Sequence, residues 1–247
     1  MAHGVEDPRT LFVHFSATGD RLLSFGYADM TARLWDARTG RALGKPMTPI
    51  NGIAHAAVSR QGKWVATVSL QDFGRPNYQG VFLWDGETGE SLPRKLPHYE
   101  YTGHWALFTS DDGRLITAGD DGVIYVYNMD RDEVELGPLR HPADESLTTS
   151  TRLVLTLSSD NRWLASRLVF HDTVALWDLT AAGDQQPRIL VHPEGIVDLA
   201  FSPDGERLFT AGNDTRAWER AEGWAAGLEI PHPAQATAIG LRGDGRQ

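Results

Sequence analysis

Along nearly the whole chain, apolar and polar positions alternate in short runs, and the runs come in pairs joined by tight polar turns. The plainest pair is Leu199-Ala200-Phe201-Ser202, then Pro203-Asp204-Gly205-Glu206, then Arg207-Leu208-Phe209-Thr210-Ala211-Gly212. An apolar-rich run entering and leaving such a turn predicts a β-hairpin, with glycine where the backbone needs a positive φ. The same phrase occurs six times, with Gly19, Gly62, Gly113, Asn161, Gly205 and Gly245 as the turn residues. Asn is the replacement that tolerates a left-handed backbone best.

The turns recur about every 45 residues, the period of a four-stranded unit stacked radially. Each period resolves into four extended runs, a to d. Run a is the most apolar and is predicted innermost. Run d is the most polar and carries Pro46, Pro93, Pro138 and Pro187, which suits an outer edge. The predicted blades span about 10–47, 53–96, 102–139, 151–191 and 196–230, with a partial sixth over 236–247. No stretch carries sustained helical periodicity with caps, so the expected fold is all-β. It is a propeller of four-stranded antiparallel blades, five of them full with one extra inner strand, incomplete or open, and it forms a single domain over 1–247. A strained five-bladed closure with 236–247 dangling is the alternative.

Run c ends in Leu34-Trp35-Asp36, Leu83-Trp84-Asp85, Val126-Tyr127-Asn128, Leu176-Trp177-Asp178 and Ala217-Trp218-Glu219. With these residues the chain resembles the WD-repeat β-propeller family over nearly its whole length. The Gly-His that usually opens a repeat appears mostly as His-Pro, at His141-Pro142, His192-Pro193 and His232-Pro233, with His98 and His3 in equivalent places. In that style, and in Leu34-Trp35-Asp36-Ala37-Arg38-Thr39-Gly40, it is similar to bacterial WD-repeat regions attached to serine/threonine kinases. No kinase motif is present.

The resemblance implies a structural network in each repeat. It links a His from the d–a loop, a Ser or Thr on b, an Asp in the b–c turn and the strand-c Trp. The implied members are His98, His141, His192 and His232, then Asp29, Asp121 and Asp214, then Trp35, Trp84, Trp177 and Trp218. A buried imidazole or indole N–H needs such partners. In the first repeat the expected strand-b position holds Phe25, and in the third Tyr127 stands for Trp, so those blades are expected to rely more on packing. In the fourth, His171-Asp172 is shifted by a residue.

Composition narrows the function. The formal net charge of −10 disfavours nucleic acid and anionic membrane, which need clustered Lys and Arg. The absence of cysteine excludes disulfides and thiolate chemistry. The first residues show neither a basic flank nor an apolar run, so no leader or membrane span is expected and a cytoplasmic setting is the default. Five of the nine histidines recur with the repeat, which favours structural roles over metal ligation. Calcium-loop, phosphate-loop and nucleophile-elbow motifs do not occur. No cofactor is expected.

What remains is a binding scaffold. Strand alternation puts the d–a and b–c loops on one face, and sequence variation concentrates there. The second repeat inserts residues 71–80 between b and c. Asp72, Phe73, Arg75 and Tyr78 from this loop, with Tyr99 and Tyr101 from the next d–a loop, are the candidate partner-binding residues, of types that dominate contact energy. A loop that is solvated or folded onto its own blade is the competing reading. The expected function is non-catalytic binding of a protein or peptide, within a larger bacterial regulatory or signalling protein, with self-association through open blade edges. A lactonase-like propeller hydrolase and a ring-completing oligomerisation module are the alternatives.

Overall fold

The structure is a computed structural model. It describes residues 11–26, 30–49, 52–69, 80–94, 96, 103–119, 122–142, 153–169, 171–181, 186–193, 195–232 and 238–240. The strands form five four-stranded antiparallel sheets, each in simple sequential order. Blade 1 is β1 (Leu11–Phe15), β2 (Arg21–Gly26), β3 (Ala32–Asp36) and β4 (Ala42–Met47). Blade 2 is β5 (Ile53–Val58), β6 (Trp64–Ser69), β7 (Val81–Asp85) and β8 (Ser91–Leu92). Blade 3 is β9 (Gly103–Phe108), β10 (Arg114–Gly119), β11 (Val123–Asn128) and β12 (Glu133–Arg140). Blade 4 is β13 (Leu153–Leu157), β14 (Trp163–Leu168), β15 (Thr173–Asp178) and β16 (Arg188–Val191). Blade 5 is β17 (Asp198–Phe201), β18 (Arg207–Ala211), β19 (Asp214–Glu219) and β20 (Ala225–Pro231). The one helical turn among the described residues is a 3-10 turn at Arg220–Glu222.

The chain divides into two compact units, Met1–Arg140 and His141–Gln247. In the first, blades 1 and 2 share a core of Leu23, Phe25, Leu34 and Met47 against Ile53, Ala56, Val65 and Trp84. Blades 2 and 3 join through Ala66, Val68 and Leu83 against Ala106, Leu115 and Tyr127. In the second unit, Ala165, Val174, Leu176 and Leu190 of blade 4 meet Leu199, Phe201, Leu208 and Trp218 of blade 5. Neither partner in such a pair could bury its apolar face alone, which is why one strand pattern must repeat.

The a–b hairpin turns are built alike. In each, a Ser or Thr at the end of the inner strand closes the turn. The hydroxyls of Ser59, Thr109, Ser158 and Ser202 accept the N–H of Trp64, Arg114, Trp163 and Arg207 at 2.8–3.0 Å. Left-handed backbone falls on Gly19, Gly62, Asn161 and Gly205 as the pattern predicts. The third turn differs: Asp112, at φ 59°, takes the left-handed position, and Gly113 does not. Aligning Thr109 with Ser202 puts Asp112 at the place of Gly205, so the glycine signal there is one residue out of phase. Asp tolerates this conformation better than most side chains.

Two further expectations shift. The outer strand of blade 2, expected over residues 90–96, is only Ser91–Leu92. Of the sixth inner strand, expected over residues 237–241, residues 238–240 are described and form no strand. They lie beside blade 5, with the Ile239 N–H donating to the Asp198 carboxylate at 2.7 Å.

Candidate interaction face and the network beneath it

The strand-c aromatics hold the blades from within. Trp35, Trp84, Trp177 and Trp218 donate their indole N–H to Ser24, Thr67, Ser166 and Thr210 at 2.8–3.0 Å. The geometry is the same each time. The Trp pairs with one residue of strand b, and the hydroxyl lies two further on, on the same side of the sheet. This corrects the expectation at Phe25. Trp35 pairs with Leu22, so its acceptor is Ser24, while Phe25 points to the opposite side and into the core with Leu23.

Blade 3 departs from the rule. The Tyr127 phenol donates to Asp132, in the c–d turn, instead of reaching strand b. Burial, with the Asp132 carboxylate close by, pushes its pKa up to about 12. Thr117, at the hydroxyl position, is fully buried and its Oγ1 has no partner.

The residue after each aromatic makes the next turn. Asp36 Oδ1 accepts from the N–H of Arg38 and Thr39, Asp85 Oδ1 from Glu87 and Thr88, and Asn128 Oδ1 from Asp130 and Arg131. Asp178 accepts from Thr180 and from Arg162 Nη2 at 2.7 Å. The Arg162 hydrogen bonds are the main reason its carboxyl is lowered to about 2. In the Trp-Asp pair, then, the first residue ties strand c to strand b and the second shapes the turn to strand d.

The d–a loops are anchored by histidine, and blades 4 and 5 do this differently. In blade 5, His192 is buried and its Nε2 lies 2.8 Å from Asp214 Oδ1. Its backbone N–H donates to Asp172 O at 2.7 Å, which ties the loop to the b–c turn of blade 4. In blade 4, His141 Nδ1 lies 2.9 Å from Ser166 Oγ, the hydroxyl that also accepts from Trp177. No carboxylate follows: His141 Nε2 is buried without a partner. Burial, with a smaller contribution from His171, lowers its pKa to about 4. His232 is not enclosed in this way. It is exposed, and its Nε2 meets Thr215 Oγ1 of the preceding blade at 2.8 Å.

Further hydrogen bonds that the sequence pattern does not show tie neighbouring blades together within each unit. Arg167 is 6% exposed and donates to the carbonyls of Ile196 and Val197, just before β17. The corresponding strand-b positions of the other blades, Phe25, Val68, Ala118 and Ala211, are apolar. In the first unit His14 Nδ1 donates to Ala56 O at 3.1 Å and Ala106 N–H donates to His55 Nδ1 at 3.4 Å. The two imidazoles thus link the inner strands of blades 1 to 2 and 2 to 3. His55 also stacks on Trp105 with centroids 4.2 Å apart. Burial, then the neighbouring His14, lowers its pKa to about 3. Pattern reading finds these residues only once the blades are aligned strand by strand.

Of the predicted site residues, Asp72, Phe73, Arg75, Tyr78, Tyr99 and Tyr101 lie outside the described residues, as do His98, Asp29 and Asp121. The remaining network residues are placed as above, each within its own blade or the loop leading into it. Among the described residues no cluster of three or more His, Cys, Asp or Glu side chains could hold a metal ion. No helix there is long and apolar enough to cross a membrane.

Repeated sheets, each locked by a strand-c aromatic, are the arrangement on which comparison with known proteins bears. Residues 95–128 and 184–218 match the WD40 family, described as WD domain, G-beta repeat. The first match takes in strands a to c of blade 3; the second starts ahead of the outer strand of blade 4, β16, and runs on through β17 and β18 into β19 of blade 5. The chain is also similar to mouse WD repeat-containing protein 41, at 28% identity over 156 residues, 54% of this chain. The matched region spans 31% of that relative's length.

Proposed function

We propose that this chain is a non-catalytic scaffold, a single WD-repeat domain that binds a protein or peptide through its d–a and b–c loops. WD repeats generally mediate protein–protein interaction, and the matches to the family support that role here. The observation that carries the reading is the anchoring of the d–a loops. His141 and His192 pin the bases of the two d–a loops that lead into blades 4 and 5 to Ser166 and Asp214, so each of these loops is held to a rigid frame. His14, His55, His141, His192 and His232 each bond within a blade or to a neighbouring strand or loop, the placement of structural histidines, which weighs against a hydrolase. The 71–80 loop, with Phe73, Arg75 and Tyr78, is the proposed contact surface, together with Tyr99 and Tyr101. The setting proposed is the cytoplasm, in a larger bacterial signalling protein.

The test is affinity capture with the 71–80 loop intact and with Phe73, Arg75 and Tyr78 changed together to Ala. Selective loss of a bound protein supports the reading; equal recovery of every bound protein removes this loop as the site. A second reading, association between copies of the chain, is favoured by one observation: Phe15 and Val13 on an inner strand are 66% and 48% exposed.

A further inference from the structure

Polar side chains of one inner strand grip the main chain of the next at a fixed repeat position. Three residues before Ser59 and Thr109, the hydroxyls that close two of the hairpins, stand Ala56 and Ala106. His14 holds the first by its carbonyl, and His55, four residues before Ser59, holds the second by its N–H. Blade 5 repeats the second contact with a different side chain. Asp198 stands four residues before Ser202, and its Oδ2 accepts the Ile239 N–H at 2.7 Å. Aligning Gly245 with Gly205 puts Arg242 in the place of Ser202, so Ile239 holds the place of Ala106. The segment 238–240 is thus docked in phase with the repeats, by a carboxylate where blade 2 uses an imidazole. It meets the side of blade 5 that Asp198 shares with Ala211, on which Phe209 and Ala217 are also buried.

The Asp198 carboxylate is itself held. Its Oδ1 accepts the Leu199 N–H at 2.9 Å. The buried Arg167 guanidinium donates to the carbonyls of Ile196 and Val197, the two residues just before it. Burial lowers the pKa of Arg167, and the charge of Asp198 works against that shift. Ile196 and Val197 end the loop that leads into blade 5, where the Ile196 N–H also donates to His171 O at 2.8 Å. We infer that Arg167, Asp198 and Ile239 form a clip that couples this loop to the segment 238–240. Arg167 makes no hydrogen bond to the segment; it is a positioning residue that fixes the main chain from which Asp198 reaches out. Coupling of this kind runs through contiguous bonded groups, and here each link is a hydrogen bond or a peptide bond. The inference stands apart from the choice of contact surface above.

Native-state hydrogen exchange of the full chain, read amide by amide by NMR, tests the clip. In the wild type Ile239 is expected to be protected at least about tenfold more than Ala238 and Gly240, whose N–H groups make no hydrogen bond among the described residues. Asp198→Ala and, separately, Arg167→Met are each expected to cut that protection at least about tenfold, while the amides of Leu208 and Phe209 in blade 5 keep theirs. Asp198→Asn retains an acceptor oxygen and is expected to restore most of the protection. The double variant is expected to lose no more than Asp198→Ala alone, because both changes act on one bond. Should either single variant fail to fold, Asp198→Val or Arg167→Val takes its place, since Val154 and Val68 stand at those positions in blades 4 and 2. An unprotected Ile239 in the wild type, or protection indifferent to Asp198→Ala, overturns the docking. Protection lost with Asp198→Ala and kept with Arg167→Met overturns the coupling. Equal losses at Leu208 and Phe209 overturn the clip, since blade 5 as a whole would then have loosened.

Discussion

Replacing Thr by Val at one repeat position is expected to have opposite effects in two blades. Thr210 and Thr117 both occupy the strand-b site two residues beyond the partner of the strand-c aromatic, and both are fully buried. Thr210 Oγ1 accepts the Trp218 indole N–H at 3.0 Å. Thr210→Val keeps shape and volume but strands that N–H in the core, at a cost of about 1–3 kcal/mol. Thr117 Oγ1 accepts nothing, because Tyr127 spends its hydroxyl on Asp132. Thr117→Val removes a buried hydroxyl that satisfies no one, and is expected to leave stability unchanged or raise it by about 1 kcal/mol. Urea unfolding of both variants, followed by tryptophan fluorescence and by circular dichroism, measures the difference, and two probes guard against the unequal melting common in repeat arrays. Equal losses from both substitutions would refute the claim that the indole–hydroxyl bond, and not mere packing, is what this position provides.

Other consequences are open to measurement. Ser166→Ala removes one oxygen shared by Trp177 and His141, so it is expected to cost about 2–5 kcal/mol, more than Thr210→Val, in the same urea assay. His141 is neutral when folded, with its pKa lowered to about 4 against 6.5 for the free group. Its contribution is therefore fully present above pH 6.5 and is lost as pH falls towards 4, reaching about 2 kcal/mol at pH 5. Thermal melts from pH 7 to pH 4.5 should show that fall, and His141→Gln should make it shallower without abolishing it, because His55, with its own pKa lowered to about 3, contributes in the same direction. A Cβ on Gly212 would sit 2.8 Å from Gly195 O and 3.1 Å from the His192 ring. Gly212→Ala is accordingly expected to loosen the His192 loop at a cost of about 1–3 kcal/mol, seen as faster amide exchange at His192.

The strand-and-turn grammar was legible in the linear chain because hairpins are local. Alternation with period two and a turn residue suited to left-handed backbone are written within a dozen residues, and they place the five sheets and their inner strands. The Trp-Asp ends announced that strand c would need a partner. They did not say which one. Ser24 and Phe25 are adjacent in sequence, yet only strand pairing decides that Ser24 shares a side with Trp35. A shift of one residue moves a side chain to the other side of the sheet. The same one-residue ambiguity put the turn signal on Gly113 when the backbone uses Asp112.

Contacts between blades lay further beyond the reach of pattern. His14 and Ala56, or Arg167 and Ile196, are brought together by stacking of one sheet on the next, and nothing in either local stretch specifies its opposite number. Whether a histidine finds a carboxylate, as His192 does and His141 does not, turns on where a b–c turn of variable length delivers it. Local sequence therefore determined what each sheet is, because a strand's period and turn act over a few bonds. Tertiary packing alone decided which buried polar atoms are satisfied, because that depends on the sheet that arrives alongside.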